Sequence, residues 1–218
     1  GVSFVFGWGV NGENTLAWHL QDFFGDSKRV RHFAHGGYST VQNFLELSCR
    51  KNEIGAEDIL IFGDAPFYDQ RNVASPAWLR SIIQSPVGKM FKNAMPRHPR
   101  ARIDGNGNLI TDYVLVSCAT SSEDCYYPKN KENDPVEVTR SLFDEILTLT
   151  NAKIVLLVLD GQDDDPIVTY IRDRGLDVVD VRRTRNGYLE WDDIHGYDNH
   201  PGAVTHYRWY RELMTLLE

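Results

Sequence analysis

The chain has 218 residues, enough for one α/β domain with a sizeable core. Hydrophobic residues make up 42% and charged residues 25%, the composition of an ordinary globular protein, and no apolar run reaches the roughly 20 residues needed to cross a bilayer. The formal net charge of -8 argues against nucleic acid as a partner, because no basic stripe exists to neutralise phosphates.

Residues 1–9 are rich in glycine and aromatics and read as a tight turn. The chain begins at Gly1, in mid-motif, and the strand leading into that turn is expected upstream of residue 1. Asn14 is placed to cap a helix over 15–24, where Leu16, Leu20, Phe23 and Phe24 share a face. Residues 29–34 are a short strand candidate, 35–40 a loop, and 41–50 a helix. Residues 58–63 form a continuous apolar run bounded by turn signals, the pattern of a strand buried on both faces of a parallel sheet. Residues 64–71 read as the loop leaving its C-terminal end, and 73–91 as partly helical, interrupted near Pro86.

The densest basic run, 97–102, is broken by Pro99 and reads as a solvated loop. Asp104-Gly105-Asn106-Gly107-Asn108 is a hairpin turn with arms at 100–103 and 109–118, so an inserted hairpin is expected around 96–127. A helix is predicted over 136–148 and a buried strand over 152–159. Asp163-Asp164-Asp165 reads as the start of a helix that Gly175 ends, not as a calcium loop, because the spaced ligands and distal Glu are missing. A strand over 176–181, a polar loop and a final helix over 203–217 close the chain. Strands alternating with helices indicate one α/β domain over 1–218, a three-layer α/β/α sandwich with a mainly parallel central sheet. The three cysteines make no disulfide framework. Cys118 and Cys125 are near enough in sequence to bridge, free thiols are the preferred reading, and Cys49 and Cys118 are read as core.

The chemistry gathers at the two ends. Asp198 lies two residues before His200, on a loop stiffened by Pro201. Such a pair can take a proton from a hydroxyl nucleophile, and the candidate hydroxyl is Ser3, between glycines that permit a tight backbone. Asp193 is the alternative acid. A metal site built from Asp193, His195, Asp198, His200 and His206 is a weaker reading, since no HExxH or cysteine pair supports it; neither metal nor cofactor is expected. His206 is assigned to capping or packing on the last helix. The hydrolase elbow Gly-x-Ser-x-Gly fails at Val5.

Gly1-Val2-Ser3-Phe4-Val5-Phe6-Gly7, then His35-Gly36-Gly37-Tyr38-Ser39-Thr40, then Asp198-Asn199-His200-Pro201 resemble, in order, three blocks of the SGNH (GDSL-like) hydrolase superfamily. The resemblance implies a flavodoxin-like fold and an acyl-serine mechanism, with Ser3 as nucleophile, His200 as base and Asp198 as acid. It also implies an oxyanion hole from the N–H groups of Ser3 and Gly37. The substrates it implies are small-molecule or glycan esters, O-acetylated sugars among them. Gly25-Asp26-Ser27 spells the family's textual motif but follows a helix and reads as a helix-ending loop. Two departures stand out. The third block's Asn is missing from residues 63–72, leaving Gln70, Arg71, Asn72 or a backbone N–H to substitute, or only two donors. The acid also stands two, not three, residues before His200. The expected activity is carboxylic ester hydrolysis; an O-acyltransferase and a catalytically silent module that binds glycan or a partner are the alternatives.

Overall fold

The computed structural model describes residues 3–85, 88–89, 96–117, 134–182 and 200–217. The protein is mixed α/β. Its chain divides into two compact units, Gly1–Tyr38 with Glu57–Ala65 and Ala152–Glu218, and Ser39–Ala56 with Pro66–Asn151.

The first unit is built on a parallel sheet. Strands β1 (Ile59–Asp64), β4 (Lys153–Val158) and β5 (Asp177–Asp180) lie in the order β1-β4-β5, with Ile59 opposite Lys153 and Val155 opposite Asp177. β4 is central and apolar on both faces, and it is buried from Ile154 to Val158. Val155, Leu157 and Leu159 face a cluster with Leu16 and Leu20 of helix α2 (Leu16–Phe24) and Trp209, Leu213 and Met214 of helix α8 (Ala203–Leu217). Helix α7 (Pro166–Asp173) joins β4 to β5. Asp165 caps it by accepting from the N–H groups of Ile167 and Val168, at 2.9 and 3.3 Å. The acidic run is thus a helix start, as its sequence suggests.

Three expectations change in this unit. Residues 3–6 are a short helix, α1 (Ser3–Phe6), not only a turn. The cap of α2 is Thr15, whose hydroxyl accepts from the Trp18 N–H at 3.3 Å, while Asn14 closes a preceding 3-10 turn. Residues 29–34 form no strand among the described residues. Gln21 organises that segment instead: its amide donates to the carbonyls of Gly25 and Lys28, and its oxygen accepts from the Val30 N–H at 2.8 Å. Gly25, the first residue of the decoy motif, ends α2 at φ 50°.

The second unit holds helices α3 (Thr40–Arg50), α4 (Phe67–Asn72), α5 (Pro76–Gln84) and α6 (Pro135–Leu149), and an antiparallel pair, β2 (Arg97–Ile103) and β3 (Leu109–Leu115). Val41, Val73, Ala101, Val138 and Leu142 form its main core. The expected hairpin is present. The basic run, however, is strand and not loop: Arg100 and Arg102 both bond Asp112 across the pair. Residues 67–72, expected as loop, are α4. Cys49 is exposed and free, not core; Cys118 and Cys125 lie outside the described residues.

Candidate functional site

Ser3 opens α1, and the turn behind it is closed by backbone. The N–H groups of Gly7 and Trp8 both donate to the Ser3 carbonyl, each at 3.1 Å. Gly7 makes this possible with a φ of 78°, a region that side-chain-bearing residues rarely adopt. A Cβ there would stand 2.6 Å from Thr15 Cγ2, so the turn packs backbone-first against the start of α2. On the other side Val5 seats α1 against the sheet, where a Cβ on Gly63 of β1 would lie 2.7 Å from Val5 Cγ2. The seat is therefore cut to fit by two glycines.

His200 stands just before α8. Its Nε2 lies 2.8 Å from Ser3 Oγ, a hydrogen bond between the two ends of the chain. With the ring proton on Nδ1, Nε2 accepts from the hydroxyl, the geometry a general base needs. Both residues are half-buried. Phe4 packs edge-on against the imidazole, with centroids 5.3 Å apart at 83°, and Trp8 tilts over it at 6.5 Å. Trp8 is 54% exposed. Phe6 stacks on His32 and His35, and His35 contacts Tyr38.

Gly37 takes a φ of 80° in the turn that the Tyr38 N–H closes onto the His35 carbonyl. Gly36 beside it faces the Trp8 ring, 4.0 Å from where a Cβ would be. Ser3, Gly37 and His200 all belong to the first unit. Asp198, the alternative acid Asp193, and His195 lie outside the described residues.

Of the replacements considered for the third-block Asn, Asn72 is already committed. Its Oδ1 accepts from the Val41 N–H at 2.9 Å and its Nδ2 donates to Thr139 Oγ1 at 2.8 Å, all within the core of the second unit. Arg71 lies over the rings of Phe67 and Trp78, at 4.5 and 4.2 Å. Gln70 is exposed on α4.

Phe4, which walls the imidazole, escaped the sequence reading; its only signal was adjacency to Ser3. His206, assigned to capping or packing on the last helix, is fully buried against Trp209 at 5.1 Å, and its Nδ1 accepts from the Leu16 N–H at 3.2 Å, at the start of another helix. Burial, with the nearby His19 and His32 adding to it, pushes its pKa down from 6.5 to about 4. Among the described residues no cluster of three metal-ligating side chains occurs, and no helix is long and apolar enough to cross a membrane. No family model matches the chain, and no curated protein or solved structure matches it.

Proposed function

We propose that the protein is a serine hydrolase of carboxylic esters, of the SGNH type, working through an acyl-serine intermediate. The single observation that carries this reading is the 2.8 Å hydrogen bond between Ser3 Oγ and His200 Nε2. Ser3 Oγ attacks the ester carbonyl as Nε2 takes its proton. The tetrahedral oxyanion is met by the N–H groups of Ser3 and Gly37. The imidazolium then protonates the leaving alcohol, which departs and leaves the acyl group on Ser3. Water, deprotonated by the same Nε2, releases the acid and restores the hydroxyl. Asp198 is assigned to the Nδ1 side, where a carboxylate holds the tautomer and stabilises the imidazolium.

The substrate proposed is a small-molecule or glycan ester, O-acetylated sugars included, and the exposed indole of Trp8 beside His200 suits a ring-bearing alcohol. The whole chain is proposed as one catalytic domain, a three-layer α/β/α sandwich with the hairpin as insertion. Burial of both faces of β4 supports that layering, since Ile154, Leu156 and Val158 are buried as well as Val155 and Leu157.

Turnover of p-nitrophenyl acetate tests the reading. Wild-type activity lost in Ser3→Ala and in His200→Ala supports it. Acyl transfer to an added sugar would make the protein an O-acyltransferase. Folded wild-type protein with no turnover would leave a silent binding module.

A further inference from the structure

We propose that His206 is a positioning residue for the Ser3–His200 pair: a neutral imidazole that fastens the first turn of α8 to the turn carrying the nucleophile. The inference rests on the ester-hydrolysis reading above for its consequence, though not for its geometry.

His200 and His206 flank the start of α8, and the His206 N–H donates to the Gly202 carbonyl at 3.2 Å, so the ring projects from the first turn of that helix. The ring then meets two other pieces of backbone. Its Nδ1 accepts from the Leu16 N–H, one of the donors that the opening turn of α2 leaves without a helical acceptor. Its Cε1 lies 3.7 Å from where a Gly7 Cβ would be. Gly7 is the residue whose N–H closes α1 onto the Ser3 carbonyl. One buried ring thus spans the helix that follows the base, the turn that follows the nucleophile, and the start of the helix against which that turn packs. It touches neither Ser3 Oγ nor a reacting atom, and acts only through backbone.

The chemistry of the ring favours this role over plain filling. Accepting at Nδ1 requires the neutral tautomer with the proton on Nε2. That N–H is buried and has no hydrogen-bond partner among the described residues. An apolar side chain at this position would leave no such donor behind. What it could not do is receive the Leu16 N–H.

Two variants separate the possibilities. His206→Asn keeps an acceptor oxygen near the place of Nδ1, whereas His206→Phe keeps the ring and loses the acceptor. The expected result is a folded His206→Phe protein with kcat on p-nitrophenyl acetate reduced about 10- to 100-fold, the scale of a slight misplacement of reacting groups, and KM little changed. His206→Asn should recover most of that loss. Imidazole 15N resonances give a second readout that does not depend on turnover. In the wild type His206 should be neutral with Nδ1 unprotonated, and the His200 Nε2 resonance should move toward its free value in His206→Phe. Wild-type kcat and an unmoved His200 resonance in His206→Phe would overturn the proposal, as would equal impairment of both variants. So would an Nδ1-protonated His206 in the wild type, which needs no variant to fold. Absence of esterase turnover in the wild type would sink the hydrolase reading alone, since the resonances would still report on the strut.

Discussion

Two side chains, Ser3 and His200, carry the proposed chemistry. On the proposed mechanism Ser3→Ala removes the nucleophile and His200→Ala the base, and each should lower kcat/KM by about 10⁴- to 10⁶-fold, with the double variant hardly worse than either, because such residues act as a unit. A steady-state assay on all three proteins checks this. A third side chain sets a pH limit. His206 has a pKa of about 4 in the fold against 6.5 ordinarily. The unfolded chain therefore takes up the proton first as pH falls. The charged groups that weigh on the ring are His19 of α2 and His32 of the following segment, both of which oppose its protonation. The stability owed to neutral His206 is whole above pH 6.5 and is lost progressively toward pH 4, by about 3 kcal/mol in total. Urea unfolding at stepped pH should show that decline in the wild type and a flatter profile in His206→Asn.

At the element scale two glycines decide where Ser3 sits. Gly63→Ala would drive a Cβ to 2.7 Å from Val5 Cγ2 and 3.0 Å from Leu159 Cδ1. The overpacking should cost about 1–3 kcal/mol, and the displaced α1 should lower kcat more than KM. Gly7→Ala meets both a close Thr15 methyl and a left-handed backbone, and thermal unfolding should find it the more damaging of the two. The tight backbone that Gly7 permits was legible in the sequence, but neither close packing contact was, because a close approach between separate segments leaves no periodic trace. What was legible were elements with strong local signals. β4 declares itself by an unbroken apolar run, α7 by its Asp165 cap and closing Gly175, and α8 by its apolar spacing. Local signals failed where a side chain replaced a regular pattern. Where a strand over 29–34 was expected, the Val30 N–H goes to the Gln21 side chain, whose amide also donates to the carbonyls of Gly25 and Lys28 just before it. Pro99 made 97–102 look like a loop, yet a two-stranded pair has only edges, where a missing N–H is tolerated. Asp112, directly across the hairpin, pairs with Arg100 and Arg102, two of the arginines that seemed to demand solvent.

Across the whole molecule, the chain leaves the first unit twice, after Tyr38 and after Ala65, and returns at Glu57 and at Ala152. Each unit has its own apolar core. The second is further pinned by Asn72, which ties α3 to α6, and by the Thr139 hydroxyl, which donates to Asp69 at 2.7 Å. Asn72→Ala leaves the buried Val41 N–H without its acceptor and should destabilise by about 1–3 kcal/mol in chemical denaturation. The pairing of Ser3 with His200 was legible only because three short blocks arrive in order; taken singly, a turn serine and a loop histidine are ordinary residues. Phe4 was not legible, since an aromatic is an ordinary packing residue until its neighbours are known, and for His206 only capping or packing was legible, not the backbone it meets.

The central claim is that the Ser3 hydroxyl is an activated nucleophile. It is tested most directly by the intact mass of the folded protein after exposure to a fluorophosphonate, followed by peptide mapping. One covalent adduct is expected, on Ser3, absent in Ser3→Ala and strongly slowed in His200→Ala. A folded wild-type protein that stays unlabelled, or that carries its adduct on another serine, would contradict it.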